Sequence, residues 1–405
     1  MITMTPSKMS GVYKIEGVMD QYTNKSVPVA FLIHILSPMD ILRVSADLDE
    51  QKILRFVPRY NKGEVTALDG LLKWFDEGFL NGSPISYKKV TVNGRQTEII
   101  FVFIPYLSKR FLDPAMTEII QQEILRRISL AYDMGARVFG LGAFTSVVTG
   151  GGKYIVDHHP LVKEGKIWIS SGNSLTTAAA NQSAFTACDF MGINPAVTTL
   201  TVVGATGSIG RVLCRMLCSS FAKINVMARN EDGLKKLQNE LIRNSGKTAN
   251  EVKIVTNKKE AIAESDLVVF VTNATCGLSE IGIEPADFKK GSVVIDVGRP
   301  KTISENIYTL RDDVLFIEGG VFHFDDTPEV LGMGKDTIFA CALETIIKGL
   351  DGDACHSGIG IISPDEVIKY GTMAKKYGYK VTGFRMFDKP LDPVFLNQIK
   401  ANAGR

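Results

Sequence analysis

Two patterns in this chain have the residue types and spacing for chemistry. The first is Gly204-Ala205-Thr206-Gly207-Ser208-Ile209-Gly210, a GxxGxxG run between the apolar stretch Thr199-Leu200-Thr201-Val202-Val203 and a stretch of helical spacing. Glycine at 204 permits a tight turn, at 207 a close approach of backbone to a pyrophosphate, and at 210 close packing of helix on strand. The helix start then offers amide N–H groups and the positive end of its dipole to phosphate. A glycine triplet alone also occurs where chains merely bend, but strand, turn and helix together are the context a dinucleotide motif requires. The second pattern is Cys341 in Lys335-Asp336-Thr337-Ile338-Phe339-Ala340-Cys341, read as a helix start with Asp336 as N-cap. A helix N-terminus favours the thiolate, the nucleophilic form of cysteine. The plain alternative is a small core residue, the commoner fate of a helical cysteine.

Other residues fall where a nucleotide would lie. The second strand ends in Ala228-Arg229-Asn230, with no acid to bind a ribose 2′-hydroxyl. An arginine there suits a 2′-phosphate, which favours NADPH over NADH; a solvated strand-end residue is the alternative. Thr272-Asn273-Ala274 and Asp296-Val297-Gly298 end the fourth and fifth strands and are expected to border the cofactor crevice, although ordinary loop chemistry explains either. His323 follows the last strand and is a candidate proton donor, against the commoner satisfied loop histidine. Cys214 and Cys218, four apart on one helix, read as core, as does Cys188.

These residues need elements to position them. From Val197 onward, strands at 199–203, 223–228, 252–256, 266–272 and 292–297 alternate with helices at 208–220, 231–244 and 258–264, with a last strand at 314–317. Buried β-rich runs joined by helices imply a mainly parallel sheet covered on both faces. The fold class is therefore α/β: a Rossmann-type NADP-binding domain plus a second α/β substrate domain. We expect the substrate domain at 1–195, with 1–28 as an extension, and the Rossmann domain at 196–335. Residues 336–405 should return to the first domain as helices carrying Cys341. Within the first domain, Asp113-Pro114 opens a helix at 113–134, and helices are expected at 174–191, 337–350 and 364–377.

Composition narrows the function classes. The 405 residues carry 46 Lys+Arg against 44 Asp+Glu, which argues against a nucleic-acid binder working by bulk charge. Six cysteines in a chain this long do not make a disulfide scaffold, and none pairs with histidine at metal-ligand spacing. With no signal-peptide pattern and no apolar run of membrane-spanning length, a reduced, cytoplasmic protein with no bound metal is the expectation.

Several segments, in order, resemble one family: Phe31-Leu32-Ile33-His34-Ile35-Leu36-Ser37, Phe103-Ile104-Pro105, Leu141-Gly142-Ala143-Phe144-Thr145-Ser146, Ser171-Gly172-Asn173-Ser174, the 204–210 turn, Ala228-Arg229-Asn230, Ile295-Asp296-Val297-Gly298-Arg299-Pro300-Lys301, Gly319-Gly320-Val321 and Phe339-Ala340-Cys341. Together they are similar to the cyanobacterial long-chain fatty acyl-[acyl-carrier-protein] reductases, which form fatty aldehydes. The resemblance implies an NADPH-dependent enzyme in which Cys341 takes the acyl group as a thioester from acyl carrier protein or coenzyme A. Gly172-Asn173-Ser174 and Phe144-Thr145-Ser146 are then candidates to hold the acyl oxygen. An aldehyde-consuming enzyme becomes a possible partner. An acidic carrier calls for a local basic surface, to which Lys109-Arg110 and Arg126-Arg127 would contribute. The chain departs from the family at His323, where the family has an acid, and in its longer N-terminal region. The competing readings are a shikimate dehydrogenase-like oxidoreductase without covalent catalysis and an NADPH-binding regulatory protein without chemistry.

Overall fold

The computed structural model describes residues 26–35, 86–92, 94–272, 277–324 and 336–405. They fall into two compact units. One takes the described parts of 1–174, 324–361 and 372–379, and the other takes 175–323, 362–371 and 380–405. The helix Asn173–Phe190, which the sequence places in the substrate domain, is grouped from Leu175 onward with the cofactor unit. The segment 336–405, expected to return as one piece, is shared between both units.

The first unit is built on five strands: β1 (Val29–Ile35), β2 (Ser86–Val92), β3 (Arg95–Leu107), β4 (Val138–Leu141) and β5 (Trp168–Ser170). Their order is β2-β3-β1-β4-β5, and only the β2–β3 pairing is antiparallel. The central strand sets Val29 beside both Ile99 and Val138, and its first four residues are buried. A strand covered on both faces has no polar face to show, which is why this one reads as an apolar run interrupted only by His34. One face is covered by the helix Thr117–Asp133, whose Ile120, Ile124 and Ile128 pack with Ala30, Leu32 and Ile100. Asp113 accepts from the Ala115 amide and so caps a short 3-10 turn at Pro114–Met116; the α-helix proper starts one turn later than expected.

The helix Ala340–Asp351 also packs on this sheet. Gly140 on β4 leaves room for Thr345, and Gly349 fits against Val29 and Thr97; a β-carbon at either position would collide. Ten of its twelve residues are buried, so it is an internal helix rather than an amphipathic cover. It does not begin where we expected. Asp336 lies at φ +63° ahead of the short strand Thr337–Phe339, and Phe339 is the N-cap. The β-branched and aromatic Thr-Ile-Phe run favours extended backbone over a first helical turn.

The second unit holds six parallel strands: β6 (Thr199–Val203), β7 (Lys223–Met227), β8 (Val252–Ile254), β9 (Leu267–Phe270), β10 (Val293–Asp296) and β11 (Leu315–Glu318). Their order is β11-β10-β9-β6-β7-β8. This is the doubly wound dinucleotide-binding order, with the reversal between β6 and β9. Ala180, Ala184 and Cys188 of the helix Asn173–Phe190 join Leu200, Val202, Leu213 and Ile224 in one core. The opposite face packs Val203, Val268, Phe270, Val294 and Phe316 with Phe288 and Ile307.

Candidate functional site

The glycine turn leaves the carboxyl end of β6, at the strand reversal where a doubly wound sheet binds its ligand. Gly204 has φ +93°, and a β-carbon there would press on the Val271 carbonyl. The Gly204 and Ala205 amides donate to the Met227 carbonyl at 2.8 and 3.1 Å, and the Gly207 amide donates to the Gly204 carbonyl at 3.0 Å. A β-carbon at 210 would overlap the Gly204 carbonyl, so the helix Ser208–Leu217 can start this close to the turn only with glycine there. Gly207 is its N-cap and supplies no side-chain acceptor. Turn and helix start therefore form a cradle with room for a pyrophosphate and a dipole that favours one. The residues present fit a dinucleotide.

Around this cradle the expected residues take different roles. Arg229 is exposed one residue past Ala228, which itself is half-buried at the end of β7. The Asn230 side chain accepts from the Gly233 amide at 2.9 Å and caps the helix Glu231–Ser245. Thr272 follows β9, and its carbonyl lies where a β-carbon on Gly298 would fall, so the ends of β9 and β10 close on each other. Asn273 and Ala274 lie outside the described residues. Asp296 is buried, with Oδ1 accepting from the Gly298 amide at 3.1 Å and Oδ2 from the Thr302 and Ile303 amides at 2.6 and 2.9 Å. Both oxygens thus organise the following loop. Burial raises its pKa to about 6 in spite of those three amides.

That loop is anchored further on. Glu318, buried at the end of β11, takes ion pairs from Arg299 at 3.0 Å, from Lys301 and from Arg385 at 2.5 Å. Burial alone would raise its pKa, but the surrounding cations outweigh it and hold the carboxyl below its ordinary value. His323 ends a strand at Val321–His323 that pairs antiparallel with Lys380 and Val381.

In the first unit, Cys341 is the second residue of its helix and is half-buried. Gly172, at φ +72°, lies directly against it: a β-carbon at 172 would overlap the α- and β-carbons of Cys341. The structure therefore brings together two of the segments singled out in the sequence. The Gly172 amide donates to Ser170 Oγ and the Asn173 amide to Ser171 Oγ, each at 3.3 Å. Ser174 is fully buried. The Ala143–Ser146 turn ends the neighbouring strand, because Gly140 of β4 pairs with Ser170 of β5. Ala143 holds φ +47°, ψ −122°, a conformation that a side chain disfavours, and the Phe144 amide donates to His34 Nε2 at 3.0 Å. Thr145 Oγ1 donates to the Gly142 carbonyl, and Phe144 and Ser146 are buried.

Cys355 is half-buried like Cys341, and the other three described thiols are not. Cys188, Cys214 and Cys218 are buried, and burial pushes the Cys188 thiol to about 12 and the other two upward. The basic pairs proposed for carrier docking are not bare. Arg127 is buried, and it shares the Glu123 carboxylate with Arg126, while Arg110 pairs with Asp113 at 3.8 Å.

Sequence reasoning missed a buried polar group beside Cys341. Glu344 Oε1 accepts from Ser170 Oγ at 2.8 Å and from Ser357 Oγ at 2.7 Å. One turn on, the buried Lys348 Nζ donates to Asp353 Oδ2 at 3.1 Å and to the Cys355 carbonyl at 2.8 Å. Burial works against its charge, but Cys355, Asp353 and Glu344 outweigh that and raise its pKa. His356 Nδ1 accepts from the Ile169 amide at 3.0 Å, and burial, helped by Lys348, lowers its pKa to about 4. The one signal in the sequence was a Glu and a Lys four apart in a helix otherwise almost wholly apolar.

Residues 191–318 match the family model for shikimate/quinate 5-dehydrogenase, a span that contains β6 to β11. The chain is 26% identical over 319 residues to the aminotransferase PigE of Serratia sp., covering 76% of this chain and 35% of that protein. It thus spans about a third of PigE. It is 26% identical to the long-chain acyl-[acyl-carrier-protein] reductase of Synechococcus elongatus, covering 64% of this chain and 74% of the relative. Among solved structures, the Thermococcus litoralis Δ1-pyrroline-2-carboxylate reductase is 15% identical, covering 57% of this chain and 63% of that one, with a TM-score of 0.29. No helix among the described residues is long and apolar enough to cross a membrane. The glycine cradle and the strand order are those of a dinucleotide-binding fold for NAD(P), and the shikimate-type match spans that same fold.

Proposed function

We propose that the chain reduces a long-chain fatty acyl thioester, carried on acyl carrier protein or coenzyme A, to the fatty aldehyde, with Cys341 as the acyl acceptor and NADPH as the reductant. The observation that carries this reading is a half-buried thiol at the second position of a helix with the Gly172 backbone against it. The helix dipole favours the thiolate there. Attack on the thioester carbonyl forms a carbon–sulfur bond to Cys341 and breaks the one to the carrier, which leaves as its thiolate. Backbone and hydroxyl groups of Gly172-Asn173-Ser174 and Phe144-Thr145-Ser146 hold the carbonyl oxygen as it gains charge. Residues 204–210 would cradle NADPH, Thr272, Asp296 and Gly298 would line it and Ala228-Arg229-Asn230 would select it; when bound, it would supply the hydride. The Cys341 thioester becomes a hemithioacetal, whose collapse breaks the bond to sulfur and releases the aldehyde. Covalent capture makes the reduction intramolecular in effect, which is its advantage over reducing a diffusing thioester.

The named reductase relative supports this reading. Direct reduction of a small carbonyl compound, without a covalent intermediate, is the reading that the shikimate-type match favours. An aldehyde product needs an enzyme that consumes carbonyls, and aminotransferases, the class PigE is named for, are one such class.

The test is incubation with palmitoyl-CoA or palmitoyl-acyl carrier protein without NADPH, followed by intact-mass measurement. A palmitoyl adduct is expected on the wild type and not on Cys341→Ala. An unmodified wild-type protein that still binds NADPH would overturn the reading.

A further inference from the structure

The helix that carries Cys341 also carries a carboxylate it does not need for packing. Glu344 is fully buried, three residues beyond the thiol, on a helix whose other buried side chains are mostly apolar. A buried carboxylate costs free energy that an apolar side chain of similar size would not. What it does here is join three segments. Its Oε1 accepts from the hydroxyl of Ser170, the last residue of β5, and from the hydroxyl of Ser357, on the segment that follows the helix. Those two serines are bridged as parallel neighbours: the Ser357 amide donates to the Ile169 carbonyl and the Ser171 amide to the Ser357 carbonyl, at 2.9 and 3.0 Å. Ser170 Oγ, turned by its bond to Glu344, accepts from the Gly172 amide. Ser171 Oγ donates to the Gly358 carbonyl and accepts from the Asn173 amide. The backbone that touches Cys341 is therefore held by serine hydroxyls, and one of those hydroxyls is aimed by the Cys341 helix itself.

We propose that Glu344 is a positioning residue for the acyl-accepting site, setting through Ser170 and Ser357 where the Ser170–Asn173 backbone lies relative to the Cys341 sulfur. The proposal rests on the reading of Cys341 as the acyl acceptor. A displaced carbonyl-holding backbone lowers the rate of acyl transfer more than it lowers substrate affinity, because the fit to the developing oxyanion is what is lost.

The experiment compares wild type, Ser170→Ala, Glu344→Gln and Glu344→Ala by the single-turnover rate of palmitoylation from palmitoyl-CoA. Two controls accompany it: the pH midpoint of Cys341 alkylation by iodoacetamide, and NADPH binding. Ser170→Ala and Glu344→Ala should acylate on the order of tenfold to a hundredfold more slowly. Glu344→Gln, which keeps an acceptor oxygen, should recover part of that loss. Alkylation midpoint and NADPH binding should match the wild type in all of them. Should Glu344→Ala not fold, Ser170→Ala decides the matter. Wild-type acylation rates in Ser170→Ala overturn the proposal, as does an equal loss in iodoacetamide alkylation, which would place the defect in the thiol. A wild type that forms no adduct overturns the acyl-acceptor reading instead, and is told apart by appearing before any substitution is made.

Discussion

Gly172 and Cys341 are in van der Waals contact with no space between them for a side chain, and Gly172 does so in a left-handed conformation. Gly172→Ala therefore introduces both a collision with the thiol-bearing residue and a strained φ. We expect it to destabilise the protein by about 1–3 kcal/mol and to lower palmitoylation of Cys341 at least as much as Ser170→Ala. Thermal melts and intact-mass time courses check this; wild-type values in both would mean the loop simply moves away.

The cofactor cradle makes a parallel prediction in the other unit. Gly210→Val places a branched side chain on the Gly204 carbonyl, where no flexible group can yield. NADPH binding, followed by its fluorescence, should weaken by roughly a hundredfold or more, since the helix start that faces the pyrophosphate is displaced. Cys341 palmitoylation without cofactor should persist.

Cofactor choice is expected to rest on Arg229, which is exposed just beyond β7 with no acid at positions 228 or 230. Arg229→Ala should weaken NADPH by about tenfold while leaving NADH binding within about twofold, as expected of a group that meets only the 2′-phosphate. An unchanged ratio of the two dissociation constants would remove Arg229 from the site.

His356 predicts a pH dependence of stability. Burial holds it neutral, with a pKa of about 4 against an ordinary 6.5. The unfolded chain therefore binds a proton first as the pH falls. The contribution is fully present above pH 6.5 and is lost progressively down to about pH 4, amounting to about 3 kcal/mol. Denaturant melts across that window should show a shallower acid loss for His356→Gln, whose side-chain oxygen can still accept from the Ile169 amide.

How much of this was legible in the chain differs between the two halves. The six strands of the cofactor unit read directly, because parallel strands covered on both faces are apolar runs of strand length and the glycine turn marks where the first one ends. The start of the Cys341 helix did not. Asp336 has the right chemistry for an N-cap, but Thr337–Phe339 is extended, and tertiary packing moved the start to Ala340. The buried polar group was hidden for a different reason. Glu344 and Lys348 are four apart, a spacing that on most helices marks a solvent-facing ion pair, and only the serines of two distant segments reveal that these two face inward. The proximity of Gly172 to Cys341 was likewise unreadable: 169 positions separate them, and the pairing of β4 with β5 beneath the helix is what closes that gap.

The internal character of the Ala340–Asp351 helix has a consequence for anyone who would redesign this protein. A thiol mounted on an element whose neighbours leave no room at Gly140, Gly172 and Gly349 cannot be slid or tilted to suit a bulkier reaction partner. Altered selectivity will have to be sought in the segments that approach the thiol from outside, while libraries that vary the helix itself will return mostly insoluble protein.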